Sequence, residues 1–357
     1  LGLRTDSSSR FEKTLDPTLP LAAAGHFVRM LESIDSSVAL PSPPTDVGGW
    51  SDPSRTIDLR TERVRSALGK ALPELNDRVA PLHANPASLS DLLRVHTDDH
   101  VTTVRGASQR AAEMEKVVRL DPDTVLSGRS WDAALGACGA ALDAMRWVGR
   151  GEGPSAFCPI RPPGHHATAD RAMGFCLFNN VAVAARAAIA EGIARRVLIV
   201  DWDVHHGNGT QDIFYEDPDV FYLSLHQHPQ YPGTGPAHET GRGAGEGTTL
   251  NLPMSGGQAP DRYVDALLAG LDRAAGFEPE MVFISAGFDA ARDDPIGGFT
   301  LEPHHFARLT HEVVERTRTS AGGRVVSLLE GGYNPAELGR CVTAHLTALT
   351  ETAGKEA

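Results

Sequence analysis

Apolar residues change their rhythm once along this chain. At 58–72 ("DLRTERVRSALGKAL"), 88–118 and 130–148 they recur every three to four residues, which predicts amphipathic helices. After Gly153 short, continuous apolar runs take over: "SAFCPI", "RVLIVDWD", "VFYLSLH", "TTLNLP", "MVFISAGFD" and "RVVSLLEGGY". Helical patterns at 178–192, 210–216, 260–275, 303–319 and 336–351 separate them. Strands that are apolar throughout, alternating with helices, predict an α/β domain with a central, mostly parallel sheet covered by helices on both faces. Residues 1–57 show neither rhythm, and the prolines of "LPSPPTDVGGWSDPS" (40–54) block regular helix and strand. The expected organisation is therefore an irregular N-terminal segment with a rim loop, 1–57, and one catalytic-type domain, 58–357.

In open parallel sheets ligands bind beyond the carboxyl ends of the strands. Four polar clusters fall there: "RPPGHH" after "SAFCPI", "DWDVHHGNG" after "VLIV", "GFDAARDDP" after "VFISA", and "EGGYN" after "VVSLL". Their convergence on one rim makes them a site in expectation, where each alone is a polar turn.

Composition narrows the function classes. Hydrophobic residues are 41% and charged residues 22% of the chain, as in ordinary globular proteins. A net charge of −13 disfavours a nucleic-acid partner. No apolar run approaches the roughly 20 residues that span a bilayer, and "LGLRTDSSSR" has no apolar signal region. Cys138, Cys158, Cys176 and Cys341 form no C-x-x-C, which fits a reducing, cytoplasmic location rather than disulfides or a thiolate metal site.

The rim residues carry recognisable chemistry. Asp203 and His205, two apart in an extended segment, point the same way, and Asp289 is the natural third ligand from another strand end. Two carboxylates and an imidazole leave an open coordination position, as in catalytic zinc sites; Fe(II) and Mn(II) also suit these ligands. Taken alone, D-x-D-x-H also reads as a strand-end cap. His165 and His166 are adjacent and diverge, so they do not share one ion, but they can flank a metal-bound water and relay its proton. Asp201 and Asn208 are the orienting partners expected for them. Gly331 and Gly332 allow a tight turn that aims Tyr333 inward, where a phenol would stabilise an oxyanion.

Together "RPPGHHA", "GFCLFNNVAVAA", "DWDVHHGNGTQDIFY", "SLHQHPQYPGTG", "GAGEGTTLNLP", "SAGFDA" with "DPIGGF", and "LEGGYN" resemble the zinc-dependent histone deacetylase superfamily, in its class II and bacterial acetylpolyamine-amidohydrolase branch. The likeness is collinear from about residue 84 to 340. It implies hydrolysis of N-acyl amides, of acetyl-lysine or acetylpolyamine type, by a zinc-bound water. The zinc ligands would be Asp203, His205 and Asp289; His166 would be general base and then acid, His165 its electrostatic partner paired with Asp201, and Tyr333 the carbonyl polariser. A structural potassium would lie on Asp201, Asp203, His205, Ser224 and Leu225, and a second monovalent ion on Phe214, Asp217 and Val220. Gly174, Phe175, Tyr231, Gly331 and Gly332 would line an acyl-lysine-sized channel with Asp123 at its rim.

Three departures stand out. Asn208 replaces the class I aspartate. Ile296 lies where a polyamine-selective relative has a gatekeeping glutamate. The N-terminal quarter lacks the family's usual opening motif, which leaves substrate size and homo-oligomer formation open. "HTDDH" (96–100) reads as a solvated helix face, and His206, His226, His304 and His305 as structural. An arginase-like ureohydrolase would need a further carboxylate where Gly207 stands. A hydrolase of another small amide, or a non-catalytic acyl-lysine binder, are the remaining alternatives.

Overall fold

The apolar runs after Gly153 all become strands in the computed structural model, which describes residues 79–353. A two-residue hairpin, β1 (Val118–Arg119) and β2 (Val125–Leu126), precedes them. The runs themselves are β3 (Ser155–Cys158), β4 (Val197–Asp201), β5 (Val220–Gln227), β6 (Thr249–Met254), β7 (Met281–Ala286) and β8 (Val325–Leu329). They form one six-stranded sheet in the order β3-β8-β7-β4-β5-β6, and every neighbouring pair is parallel. The helices are α1 (Leu89–Leu92), α2 (Asp98–Met114), α3 (Ser130–Gly149), α4 (Asn180–Ala190), α5 (Asn208–Phe214), α6 (Pro260–Ala274), α7 (Pro303–Ala321) and α8 (Pro335–Ala353).

Alternate strand residues build two cores, one on each face of the sheet. Val197, Ile199, Met281, Phe283, Val326 and Leu328 pack with α3 and α4. Leu198, Val200, Val282, Ile284 and Val325 pack with α6, α7 and α8. Burial on both faces explains why these strands read as unbroken apolar runs. From Leu82 onward the chain forms one compact unit. Among the described residues no helix is long and apolar enough to cross a membrane. The irregular segment 1–57, its rim loop, the pattern at 58–72 and the 57/58 boundary lie outside the described residues.

One predicted helix is two. The pattern over 88–118 breaks after α1, which Ser88 and Asp91 open with a capping box, and restarts where the Thr97 side chain caps α2. The Thr97 amide donates to the Ala169 carbonyl at 2.8 Å, a long-range bond that fixes the break and leaves no trace in local periodicity.

The strand order sets the position of the site. From β4 the chain moves outward through β5 and β6, then returns to β7 on the other flank of β4 and continues through β8. A reversal of this kind opens a crevice beyond the carboxyl ends of the two central strands. Asp201 ends β4, Asp203 and His205 follow it, and Asp289 follows β7.

Candidate functional site

Asp203, His205 and Asp289 each bring one ligand atom into a buried group whose members lie within 4.8 Å of one another. His205 Nδ1 is 3.0 Å from Asp203 Oδ1 and 3.2 Å from Asp289 Oδ2. The outer oxygens are held by backbone: Gly331 N donates to Asp203 Oδ2 at 2.7 Å, and Val204 N to Asp289 Oδ1 at 2.8 Å. Asp289 Oδ2 is buried without a hydrogen-bond partner. A buried carboxylate oxygen that makes no hydrogen bond, even with the His205 ring 3.2 Å away, is costly unless a cation faces it. Two carboxylates and one imidazole suit a divalent ion that keeps an open position, so the residues fit the metal the sequence points to.

Charge within the triad follows the same logic. Burial alone would lower the His205 pKa, but Asp203 and Asp289 outweigh it and lift it to about 10. Burial, reinforced by Asp203, pushes Asp289 up to about 7. Burial opposes ionisation of Asp203 too, yet His165 and His205 hold its carboxyl well below the usual range. A proton on His205 thus balances the carboxylates wherever a cation does not.

Two glycines make the close approach possible. A Cβ on Gly331 would lie 2.2 Å from Asp289 Oδ2 and 2.7 Å from Asp203 Oδ2. One on Gly287 would lie 2.2 Å from Asp203 Oδ2. Gly331→Ala is therefore expected to weaken divalent-metal affinity at least about tenfold, an effect of the size seen when ligand-supporting contacts are lost. Equilibrium dialysis against zinc checks this, and unchanged affinity would contradict the geometry.

The histidine pair sits above the triad on the loop after β3. His165 Nδ1 is 3.0 Å from Asp201 Oδ2, and Tyr222 donates its hydroxyl to the same oxygen at 3.0 Å. His166 Nδ1 is 2.9 Å from Asn208 Oδ1, at the first turn of α5. Burial disfavours charge on both rings. For His165, Asp201, Asp203 and Glu330 overcome burial and raise the pKa to about 10. For His166, burial and the neighbouring His165 and His205 act together and push it well below the usual range. Adjacent imidazoles are thus driven to opposite protonation states, an arrangement that separates a fixed cation from a proton acceptor.

The wall beside the pair is built from aromatic rings and a strained turn. Gly174 and Phe175 both take left-handed backbone, φ 57° and 66°. A Cβ on Gly174 would fall 2.3 Å from His166 Cδ2. The Phe175 ring lies 6.1 Å from that of Tyr333, and the Tyr231 ring meets His166 edge-on at 5.1 Å. Burial raises the Tyr333 phenol far above its ordinary pKa, so it stays a donor. Asp123 Oδ1 accepts from Gly174 N at 3.1 Å, which places that carboxyl against the wall itself. Ile296 is half-buried, and its carbonyl accepts from Gln230 Nε2 at 2.9 Å. Gly332 follows Gly331 with φ 133°.

The residues expected to hold monovalent ions fall in two places. Ser224 is the register partner of Asp201, and the Leu225 carbonyl accepts from Tyr263 at 3.3 Å. Phe214, Asp217 and Val220 flank the α5–β5 turn, where Asp217 N donates to the Phe214 carbonyl and the Asp217 carboxylate pairs with Arg186.

Sequence reasoning missed several supports. Glu330, fully buried, accepts from Gly164 N at 2.7 Å, His165 N at 3.2 Å and Ser285 Oγ at 3.1 Å, so it holds the histidine loop. Tyr222 steadies Asp201, and Asp294 accepts the Tyr333 amide. The solvated reading of "HTDDH" needs correction. Asp98 and Asp99 are exposed, but His96 and His100 are buried. His96 bonds the Thr168 carbonyl and accepts the Asn179 amide, while His100 bonds the Leu177 carbonyl. Both thereby fasten the loop that carries Gly174 and Phe175. His206 and His226 hydrogen-bond to Thr234, Gln211, Ser224 and Gly235 and stand outside the triad.

The chain shares its fold and family with known proteins. The family model described as "Histone deacetylase domain" matches residues 57–349. Histone deacetylase 15 of Arabidopsis thaliana is 41% identical over 309 residues, covering 85% of this chain and 54% of the plant protein. The chain thus spans about half the length of that curated relative. The histone deacetylase-like amidohydrolase of Pseudomonas aeruginosa is 36% identical over 312 residues, covering 85% of this chain and 80% of the bacterial one. A crystal structure of the HDA15 HD domain superimposes with a TM-score of 0.74 at 39% identity, over 83% of this chain and 82% of that one. With a family model that matches most of its length and relatives that share its fold, the chain belongs to the histone deacetylase domain family.

Proposed function

We propose that this protein hydrolyses N-acetyl, or closely related N-acyl, amides of primary amines, releasing carboxylate and amine. The observation that carries the reading is the buried Asp203–His205–Asp289 triad beside a histidine pair whose members are held by different acceptors. Zinc is the ion we assign to Asp203, His205 and Asp289; when bound it supplies a Lewis acid toward the carbonyl and lowers the pKa of water.

The chain's own residues divide the remaining work. With Nδ1 engaged by Asn208, His166 has Nε2 left to exchange a proton. Its depressed pKa keeps that nitrogen available as a base. It takes a proton from the attacking water and returns it to the amine nitrogen as the C–N bond breaks. His165, held charged by Asp201, lends positive potential to the developing oxyanion. Tyr333 donates its phenolic hydrogen to that oxygen. Phe175 and Tyr231 form the apolar sides that enclose a narrow acyl-bearing chain and keep bulk water out, and Asp123 braces that wall through Gly174 N. The reading retains a structural potassium near Asp201, Asp203, His205, Ser224 and Leu225, and a second ion at Phe214, Asp217 and Val220. Its support is the family resemblance, together with Ser224 standing beside Asp201 in the sheet register. Related proteins named deacetylase and amidohydrolase support the reaction class.

Asn208 gives the roles of the histidines a direct test. A carboxylate in its place would stabilise charge on His166, so Asn208→Asp is expected to raise that histidine's pKa. A base with a higher pKa stays protonated to higher pH, so the acidic limb of kcat/KM moves upward, by about one unit. The limb is measured from about pH 5 to 9 on both proteins. An unmoved or lowered limb at equal zinc content would contradict His166 as the titrating base.

A further inference from the structure

Tyr333 follows two glycines, Gly331 and Gly332, the second at φ 133°. Glycines permit the turn but do nothing to fix where the next side chain points. Something else must aim the phenol. The Tyr333 amide donates to Asp294 Oδ2 at 2.7 Å, and the Asn334 amide donates to the same oxygen at 3.2 Å. The other oxygen, Asp294 Oδ1, accepts from Ile296 N at 2.9 Å and Gly297 N at 3.3 Å. One carboxylate, only 8% exposed, therefore receives four backbone N–H groups from two different loops.

Those loops matter for chemistry. The first begins at Asp289 and contains Ile296, whose carbonyl is tied to Gln230 beside Tyr231. The second runs from Gly331, bonded to Asp203, to Asn334, whose side chain bonds the Asp293 carbonyl at 3.1 Å. Asp293 takes the left-handed conformation, φ 61°, at the step before Asp294. Hydrogen bonds to an ionised carboxylate are stronger than neutral ones, so this junction is stiff.

We infer that Asp294 is the positioning residue for Tyr333: its carboxylate sets the distance of the phenol from the reacting carbonyl by locking the 333–334 backbone to the 294–297 turn. The inference rests on the reading of Tyr333 as the donor to the substrate oxygen. It predicts that the effect on kcat passes through the phenol.

A double-mutant cycle on the zinc-loaded, full chain tests this. Asp294→Asn keeps size but turns an N–H₂ group toward two backbone donors, and Asp294→Glu keeps charge but lengthens the arm. Each is expected to lower kcat about 10- to 100-fold, the scale of a displacement near 1 Å, with KM and zinc content near those of the parent. In the Tyr333→Phe background the same changes are expected to cost nothing further in kcat, since no phenol remains to be aimed. Losses that multiply in the double variants, a fall in zinc content that accounts for the loss, or full activity in both single variants would overturn the assignment. So would failure of both variants to fold, which would make Asp294 a support of the whole domain. Full activity of Tyr333→Phe alone would remove the role of the phenol, and this inference with it; loss in Tyr333→Phe without loss at Asp294 removes only the inference.

Discussion

Replacing Tyr333 by Phe is expected to lower kcat by about 10²–10³-fold and to leave stability and zinc content close to those of the parent protein. The magnitude is that of deleting one preorganised donor to an oxyanion. The ring stays, so its contact with Phe175, 6.1 Å between centroids, stays with it. The backbone bond to Asp294 also stays. What disappears is a phenolic hydrogen that burial keeps in place at any working pH. Because the donor acts on charge that grows in the transition state, the loss falls on kcat more than on KM. Steady-state kinetics on an acetyl-lysine peptide, with zinc content measured beside them, check this. Near-normal turnover would reduce Tyr333 to packing.

Removing the metal is expected to abolish activity and to spare the fold. Every residue of β4 and β7 is buried, and their apolar side chains belong to two large cores that make no use of the ion. A protonated His205, lying between Asp203 and Asp289, compensates the carboxylates in the metal-free protein. A chelator should therefore leave the far-UV circular dichroism nearly unchanged, and zinc should restore turnover. The sign of the pH dependence follows from the same proton. His205 is raised, so below its pKa an incoming cation must displace a proton, and apparent zinc affinity should rise with pH. Calorimetry in buffers of different ionisation enthalpy should show at least about one proton released per ion. Unfolding on chelation, or zinc binding independent of pH, would show that the ion is held in another way.

The sheet was legible because both of its faces are covered. A run such as "RVLIV" has no polar positions to confuse it with a surface element, and its neighbours read the same way. Asp203, His205 and Asp289 were legible because the ends of such strands are where a parallel sheet binds ligands. The break between α1 and α2 was not, since it depends on Thr97 meeting Ala169 far along the chain. His96 and His100 were misread for the same reason: their partners are carbonyls and an amide of the loop at 168–179, which carry no residue-type signature. Glu330 and Asp294 stood in plain view in "LLEGGYN" and "DPIGG". Both act by accepting backbone N–H groups, and where a backbone donor points is set by the fold, not by residue type. A carboxylate beside a glycine turn is nonetheless a usable signal, because such turns expose amides that an anion can gather.

In the proposed reading the substrate class rests on a channel between Phe175 and Tyr231, whose rings would suit an extended aliphatic arm, with Ile296 adding no charge. The stoichiometry of acetate and free amine released from acetyl-lysine peptides and acetylpolyamines by the zinc-loaded protein decides whether it is a deacetylase. The measurement should be run beside Asp203→Ala and a chelated sample. Equal amounts of acetate and amine are expected from at least one substrate class, and none from either control. Release that persists in the controls, or no release from any substrate by protein carrying zinc at Asp203, His205 and Asp289, would contradict the proposed hydrolysis.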